Sequence, residues 1–150
     1  MSPTSSSPRI RSALPDDAPA LSVLLAQLGY PTAPELVLQR LHSLTAAGET
    51  VLVAERDGTV LGLLTVHVTP VLHRPTPVGR LTALVVADRA RGQGVGRALV
   101  RHAEELLAEH GCALVEVTSN RKRAEAHAFY EHLDYELTSY RFKKSLSAAD

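Results

Sequence analysis

Cysteine is almost absent from this chain: Cys112 is the single one in 150 residues. No internal disulfide can form, and a reducing compartment is expected. A surplus of charge is missing too. Lys and Arg number 16 and Asp and Glu number 16, for a formal net charge of +0. That argues against nucleic acid as a partner, because gripping a phosphate backbone calls for a basic excess. No apolar run approaches the roughly 20 residues that cross a bilayer. The N-terminal MSPTSSSPR holds no apolar segment of signal-peptide type. The expectation is a cytoplasmic protein with neither membrane nor nucleic acid as partner. The seven histidines form no metal-ligand spacing; His127 and His132 are five apart and off a common helical face. No metal is expected.

What is present is an ordinary globular composition, 45% hydrophobic and 21% charged, in a length that buries a sizeable core within one domain. Residues 1–8 are rich in Ser and Pro and read as a disordered tail, leaving 9–150 as a single domain. The most informative stretch is Leu81 to His110. LTALVV has the apolar, β-branched character of a buried strand. Val95, Ala98, Leu99, Ala103, Leu106 and Leu107 then fall on one face of a helix. Gly111 follows where a left-handed cap belongs. Between strand and helix stand Gly92, Gly94 and Gly96, ringed by Arg89, Arg91, Arg97 and Arg101. Glycine lets backbone N–H groups approach a ligand, and a helix N-terminus favours an anion. The stretch reads as a polyphosphate site. A Walker A loop is excluded because no Lys-Ser or Lys-Thr follows. A dinucleotide fingerprint fits poorly, since the third glycine comes one residue early and little chain follows. Arg91-x-x-Gly94-x-Gly96 and a ligand-free turn remain. The crowding of arginines speaks against the latter, because an anion relieves their repulsion.

In chain order, Arg9–Ala13 reads as a strand. Pro15-Asp16-Asp17 starts a helix with Leu21, Leu24, Leu25 and Leu28 inward, broken at Gly29–Thr32. Pro34–Ala47 reads as a second helix with Leu38, Leu41 and Leu44 inward. Strands at 50–55 and 60–68 flank Asp57-Gly58, a strong hairpin signal, with Gly62 a candidate bulge. After a proline-containing loop, 79–86 is a strand antiparallel to its predecessor. The strand at 113–118, reached through the long helix, should run parallel to it. A short helix follows at 124–133, then one or two closing strands within 135–146. The order β-α-α-β-β-β-α-β-α-β predicts an α+β fold: a mostly antiparallel mixed sheet with one parallel pair.

A second motif joins the loop: Ser119-Asn120-x-x-Arg123-x-x-Ala126-His127-x-Phe129-Tyr130-x-x-Leu133. With Arg91-x-x-Gly94-x-Gly96 and this element order, the chain resembles the GCN5-related N-acetyltransferase (GNAT) superfamily from Ile10 to about Leu146. The resemblance implies that acetyl-CoA wedges between a splayed parallel strand pair, here 81–86 and 113–118. The pantetheine arm would pair with the edge at Leu84, Val85 and Val86 as an added strand. The pyrophosphate would rest on the N–H groups of Gln93, Gly94, Val95, Gly96 and Arg97, with Arg91 framing the loop. Asn120 would fix the cofactor, or serve only as a turn former. Arg121, Lys122 and Arg123 would meet a phosphate, or form a solvated basic turn. Tyr130 stands at the position of the family's thiol-protonating tyrosine; the alternative is packing beside Phe129. His127 reads better as a packing or capping residue than as a catalytic one.

Two positions depart from the family pattern. Leu133-Asp134-Tyr135 has Asp where relatives often have Gly, a matter of local stability. Gly79-Arg80-Leu81-Thr82 lacks the glutamate that many relatives carry there. For the base that takes the amine's proton, Glu116, His67, His73 and a water chain all stay open. Cys112 reads as a core residue rather than a nucleophile. The expected function is acetyl-CoA-dependent transfer of acetyl to a primary amine by direct attack in a ternary complex. The acceptor site would lie among the 29–32 turn, the 69–77 loop and the closing strands. The acceptor is a small molecule, a peptide N-terminus or a lysine. The rival reading is a non-catalytic acyl-CoA-binding or regulatory module on the same fold. Members of this superfamily often form homodimers, which the sequence neither requires nor opposes.

Overall fold

The computed structural model describes residues 7–118, 124–139 and 141–148. They fall into two units, 1–118 and 119–150. The first unit holds β1 (Arg9–Ser12), α1 (Ala18–Leu28), α2 (Pro34–Ala46), β2 (Thr50–Arg56), β3 (Thr59–Thr69), β4 (Val78–Val86), α3 (Val95–Glu109) and β5 (Leu114–Val117). Its sheet has the order β1-β2-β3-β4-β5. All pairings are antiparallel except β4 with β5, which is parallel, as the intervening helix requires. The mixed α+β sheet with one parallel pair is therefore as predicted.

Local chemistry explains the element ends. Asp57 and Gly58 both take positive φ, 52° and 79°, the conformation that a tight hairpin between twisted strands demands. α1 ends on Gly29 at φ 101°. It is preceded by a short 3₁₀ turn at Pro15–Asp17 rather than starting there directly. The Asp17 carboxylate accepts the Leu14 N–H at 2.7 Å and binds the Arg11 guanidinium at 2.8 and 3.0 Å. Arg11 Nε also reaches Glu55 at 2.5 Å. This tie joins β1, β2 and the start of α1. The Arg11 hydrogen bonds hold the Asp17 carboxyl below its usual 3.8.

The core lies between sheet and helices. Leu52, Leu64, Leu81, Leu99, Leu107, Val53, Val78, Val95 and Val100 are its most completely buried side chains. Three inward assignments shift. Val37 rather than Leu38 or Leu44 is buried beside Leu41 in α2, Leu25 and Leu28 are only partly covered in α1, and Val100 replaces Ala98 and Leu106 in α3. A β-bulge does occur near Gly62, but the unpaired residue is Leu61. Gly62 itself serves α3. A Cβ there would stand 3.0 Å from the Val85 carbonyl and 3.1 and 3.2 Å from Leu99 and Val95. At Gly79 a Cβ would fall 2.6 Å from Leu107 Cδ1.

The second unit contains α4 (Ala124–His132). The closing strands predicted within 135–146 are absent among the described residues, where 135–139 and 141–148 carry no strand. A strand is stabilised by ladder partners, and this unit's one regular element among the described residues is a helix. The alternation of apolar residues is present in the segment, but the partner is not.

Two outcomes follow. Gly79→Ala should cost about 1–3 kcal/mol through overpacking against buried Leu107, read as a lower urea midpoint at unchanged slope. Asp17→Asn should cost about 2 kcal/mol near neutrality. Because the folded pKa is depressed, this contribution is complete above 3.8. It fades as pH falls through the lower folded value, so urea titrations of the two proteins should converge in acid.

Candidate active site

The parallel ladder between β4 and β5 is short. Val78, Gly79, Arg80 and Leu81 pair with Leu114, Val115, Glu116 and Val117, and there the pairing ends. On its other side β4 continues to pair with β3: Leu84 faces Leu64, Val85 faces Leu63 and Val86 faces Gly62. Among the described residues, Leu84–Val86 thus have one edge in the sheet and one edge without a strand. The register of β3 against β4 slips at the same place, passing from Thr65↔Ala83 to Val66↔Leu81 and leaving Thr82 as a bulge. A bulge sharpens the local bend and twist, and this one lies one position beyond the last described β4–β5 pair.

β4 runs into a 3₁₀ turn at Asp88–Ala90 and then the glycine loop. Gly92 and Gly94 take φ of 76° and 81°, and Gly94 is the N-cap of α3. These left-handed residues turn successive N–H groups outward at the head of a helix, the arrangement that receives an anion. Gly96 is helical, on the first turn. Gln93 anchors the loop. Its Oε1 accepts from Arg56 at 2.7 Å, and its Nε2 donates to the Arg89 carbonyl at 3.2 Å. Between hairpin and loop lies an open depression of about 400 Å³ lined by Arg56, Asp57, Thr59, Leu61, Arg89, Ala90 and Gln93. Arg91 is exposed and pairs with Asp88 at 3.0 Å, bracing the loop from within. Arg97 is exposed on the first turn of α3, and Arg101 one turn on.

The structure therefore gathers Leu84, Val85, Val86, Arg91, Gln93, Gly94, Val95, Gly96 and Arg97 along one strand end and the loop that continues it. The side chain of Val95 is buried in the core, so its contribution to the loop is its backbone. Glu116 stands on β5 with its carboxylate 3.6 Å from Arg80, both side chains about half exposed. His73 is exposed in the 69–77 loop. His67 lies near the end of β3, flanking that loop, and meets Glu49 and Thr82. Asn120, Arg121, Lys122 and Arg123 lie outside the described residues.

In the second unit, Tyr130 sits edge-on between Phe129 and Tyr135, with ring centroids 5.1 and 5.7 Å away. Burial pushes its phenol up to about 12. It stays protonated across the working range of an enzyme and can act as a hydrogen donor. Burial likewise pushes the Cys112 thiol up, the reverse of what activates a thiol nucleophile. Among the described residues no group of three or more His, Cys, Asp or Glu could hold a metal ion, and no helix is long and apolar enough to cross a membrane.

Residues 16–135 match the acetyltransferase (GNAT) family. The chain belongs to that family. It is 38% identical over 93 residues to an aminoalkylphosphonate N-acetyltransferase of Salmonella typhimurium, covering 62% of this chain and 60% of that protein. To an aminoglycoside N(6')-acetyltransferase type 1 of Stenotrophomonas maltophilia it is 31% identical over 137 residues, 89% of each. Among solved structures, one described as a transcriptional regulator of Bacillus halodurans C-125 superposes with a TM-score of 0.86 at 25% identity, covering 93% of this chain and 99% of that one.

The burial of Tyr130 is directly measurable. In an alkaline titration followed by phenolate absorbance, the difference between wild type and Tyr130→Phe should emerge near pH 12, about two units above an ordinary tyrosine.

Proposed function

We propose that this protein is an acetyl-CoA-dependent N-acetyltransferase that acts on a primary amine of a small molecule. The observation that supports this best is the end of the β4–β5 ladder at Leu81↔Val117, just before a strand segment that leads into an anion-binding glycine loop. Pantetheine is amide-rich and fits an open strand edge; a pyrophosphate fits the head of a helix. The relatives' names, an aminoalkylphosphonate and an aminoglycoside N-acetyltransferase, favour a small-molecule acceptor over a peptide N-terminus or a lysine. The reading includes one acetyltransferase domain over 9–150 and a cytoplasmic location.

In this reading Leu84, Val85 and Val86 bind the pantetheine amides. The N–H groups of Gln93 to Arg97 bind the pyrophosphate, with Arg91 and Asp88 holding the loop in shape, and Asn120, outside the described residues, keeps the cofactor role that the family resemblance implies. Acetyl-CoA supplies an activated acyl group whose thiolate leaves on attack by the amine. Tyr130 donates the hydrogen that the departing sulfur needs, which its high pKa suits. Direct attack is favoured over an acetyl-enzyme because the one cysteine is not activated. A purely regulatory acyl-CoA module would bind the same ligand but turn over no amine.

Thermal unfolding with acetyl-CoA, CoA, ATP and NAD tests the binding. A ligand at a hundredfold excess over its dissociation constant adds about 2.7 kcal/mol, so the midpoint should rise with the two CoA compounds and not with the others. Gly94→Val forces a side chain into a left-handed cap and should weaken that binding at least tenfold by calorimetry, on the order of 1.4 kcal/mol or more. Tyr130→Phe should lower kcat by about 10²-fold while leaving acetyl-CoA binding intact. Equal stabilisation by ATP and CoA would reject the reading.

A further inference from the structure

The sheet face turned away from α3 carries a short polar chain. Gly62 and Gly79 point at Val95, Leu99 and Leu107 of α3. Side chains alternate along a strand, so Thr65 and His67 stand on the opposite face. There Thr65 Oγ1 lies 2.5 Å from Thr82 Oγ1, and Thr82 Oγ1 lies 2.9 Å from His67 Nε2. The other ring nitrogen, Nδ1, meets Glu49 Oε2. That carboxylate oxygen is buried, whereas the His67 side chain is about a quarter exposed (24%). Thr82 is the bulged residue, one position beyond the last β4–β5 pair. The chain Glu49–His67–Thr82–Thr65 thus includes one residue, Thr82, that lies just past the last described pair of the β4–β5 ladder.

Hydrogen-bond roles along this chain are constrained. Glu49 Oε2 is buried without a well-aligned hydrogen-bond donor; its ion-pair neighbour is His67 Nδ1, and a hydrogen on that nitrogen would serve it. With the hydrogen on Nδ1, a neutral imidazole keeps its lone pair on Nε2. The Thr82 hydroxyl then donates to Nε2, and the Thr65 hydroxyl donates to Thr82. The result is an imidazole with a carboxylate on its Nδ1 side and the Thr82 hydroxyl on its Nε2 side. Glu116 differs, since its carboxylate is engaged by Arg80. The charged groups that the ladder brings to this face are Glu49, Arg80 opposite His67, and Glu116 beyond Arg80.

We propose that His67 accepts the proton of the incoming amine, with Glu49 as its positioning residue and Thr82 as the relaying hydroxyl. The proposal rests on the reading that acetyl-CoA lies in the β4–β5 split. The ammonium of the acceptor passes one proton through Thr82, or a water in its place, to His67 Nε2. The freed amine attacks the thioester carbon; the C–N bond forms and the C–S bond breaks. The sulfur gains a proton from its donor, and the second proton lost by nitrogen restores that donor. His67 later releases its proton to solvent. The products are the amide, CoA thiol and one proton.

The test combines a spectrum and a rate profile on the full chain. Two-bond ¹H–¹⁵N spectra of ¹⁵N-histidine-labelled protein, without ligand, should show His67 hydrogen on Nδ1 and a bare Nε2. Acetylation of a panel of aminoalkylphosphonates and simple primary amines, followed by thiol release, should give a wild-type kcat/KM that rises with pH to a plateau. His67→Gln should lower it about 10²–10³-fold and lose that rise. Acetyl-CoA affinity by calorimetry should stay within threefold, and imidazole should restore part of the rate to His67→Ala. Glu49→Gln should lower kcat about tenfold and move the rise, with KM for acetyl-CoA unchanged. Three results would each overturn the proposal: hydrogen on Nε2 in the spectrum, a His67→Gln profile that matches wild type, or loss of the rise in Glu116→Gln but not in His67→Gln. Wild-type protein that binds acetyl-CoA but acetylates no amine removes the catalytic role alone. Wild-type protein that binds no acetyl-CoA removes the underlying reading as well.

Discussion

The close approach of α3 to β3 and β4 is the constraint on which the first unit depends. Two strand positions facing this helix are closely approached: a methyl group would be tight at Gly62 and would clash at Gly79, where Leu107 lies directly over it. With the helix seated this low, Val95, Leu99, Val100, Ala103 and Leu107 become fully buried. The head of the helix is then fixed against the end of β4. The glycine loop inherits its position from that packing. A ligand-binding turn gains its precision from a rigid element behind it, and here the element is held at both ends of its buried face.

The second determinant is a mismatch within the sheet. β3 pairs along the whole of β4, whereas β5 pairs only with its first part. Thr82 marks the boundary. The extra residue in β4 sits where, among the described residues, the β5 partner ends, and it presents a hydroxyl to His67. One local irregularity thus joins the proposed binding edge to the proposed proton acceptor.

Much of this was legible in the sequence because its determinants are local. Asp57-Gly58 announces a hairpin, and both residues adopt the backbone it needs. The amphipathic stripe of α3 and the glycines before it identify the loop, and the helix between β4 and β5 dictates their parallel pairing. Asp134, where relatives often place glycine, does take the left-handed conformation at φ 70°. The signals that failed depend on partners distant in sequence. The register slip at Thr82 leaves no mark on Arg80-Leu81-Thr82-Ala83. Glu49 and His67 are 18 positions apart, and their meeting depends on how the loop after α2 enters β2. The closing strands expected within 135–146 also depend on a distant neighbour, which a local segment does not supply.

Among the described residues one edge of Leu84–Val86 faces no strand, which bears on the behaviour of the protein before any ligand arrives. Unpaired N–H and C=O groups on a strand of β-branched and aliphatic residues are a template for another chain, and sheets commonly blunt such edges with charge, proline or a covering segment. Leu84, Val85 and Val86 carry neither charge nor proline. A site shaped to accept an extended, amide-bearing molecule cannot be blunted without losing its purpose. The strand edge proposed to hold the ligand is thus, among the described residues, also an edge exposed to self-association. Solubility and ligand occupancy become linked properties of the same three residues.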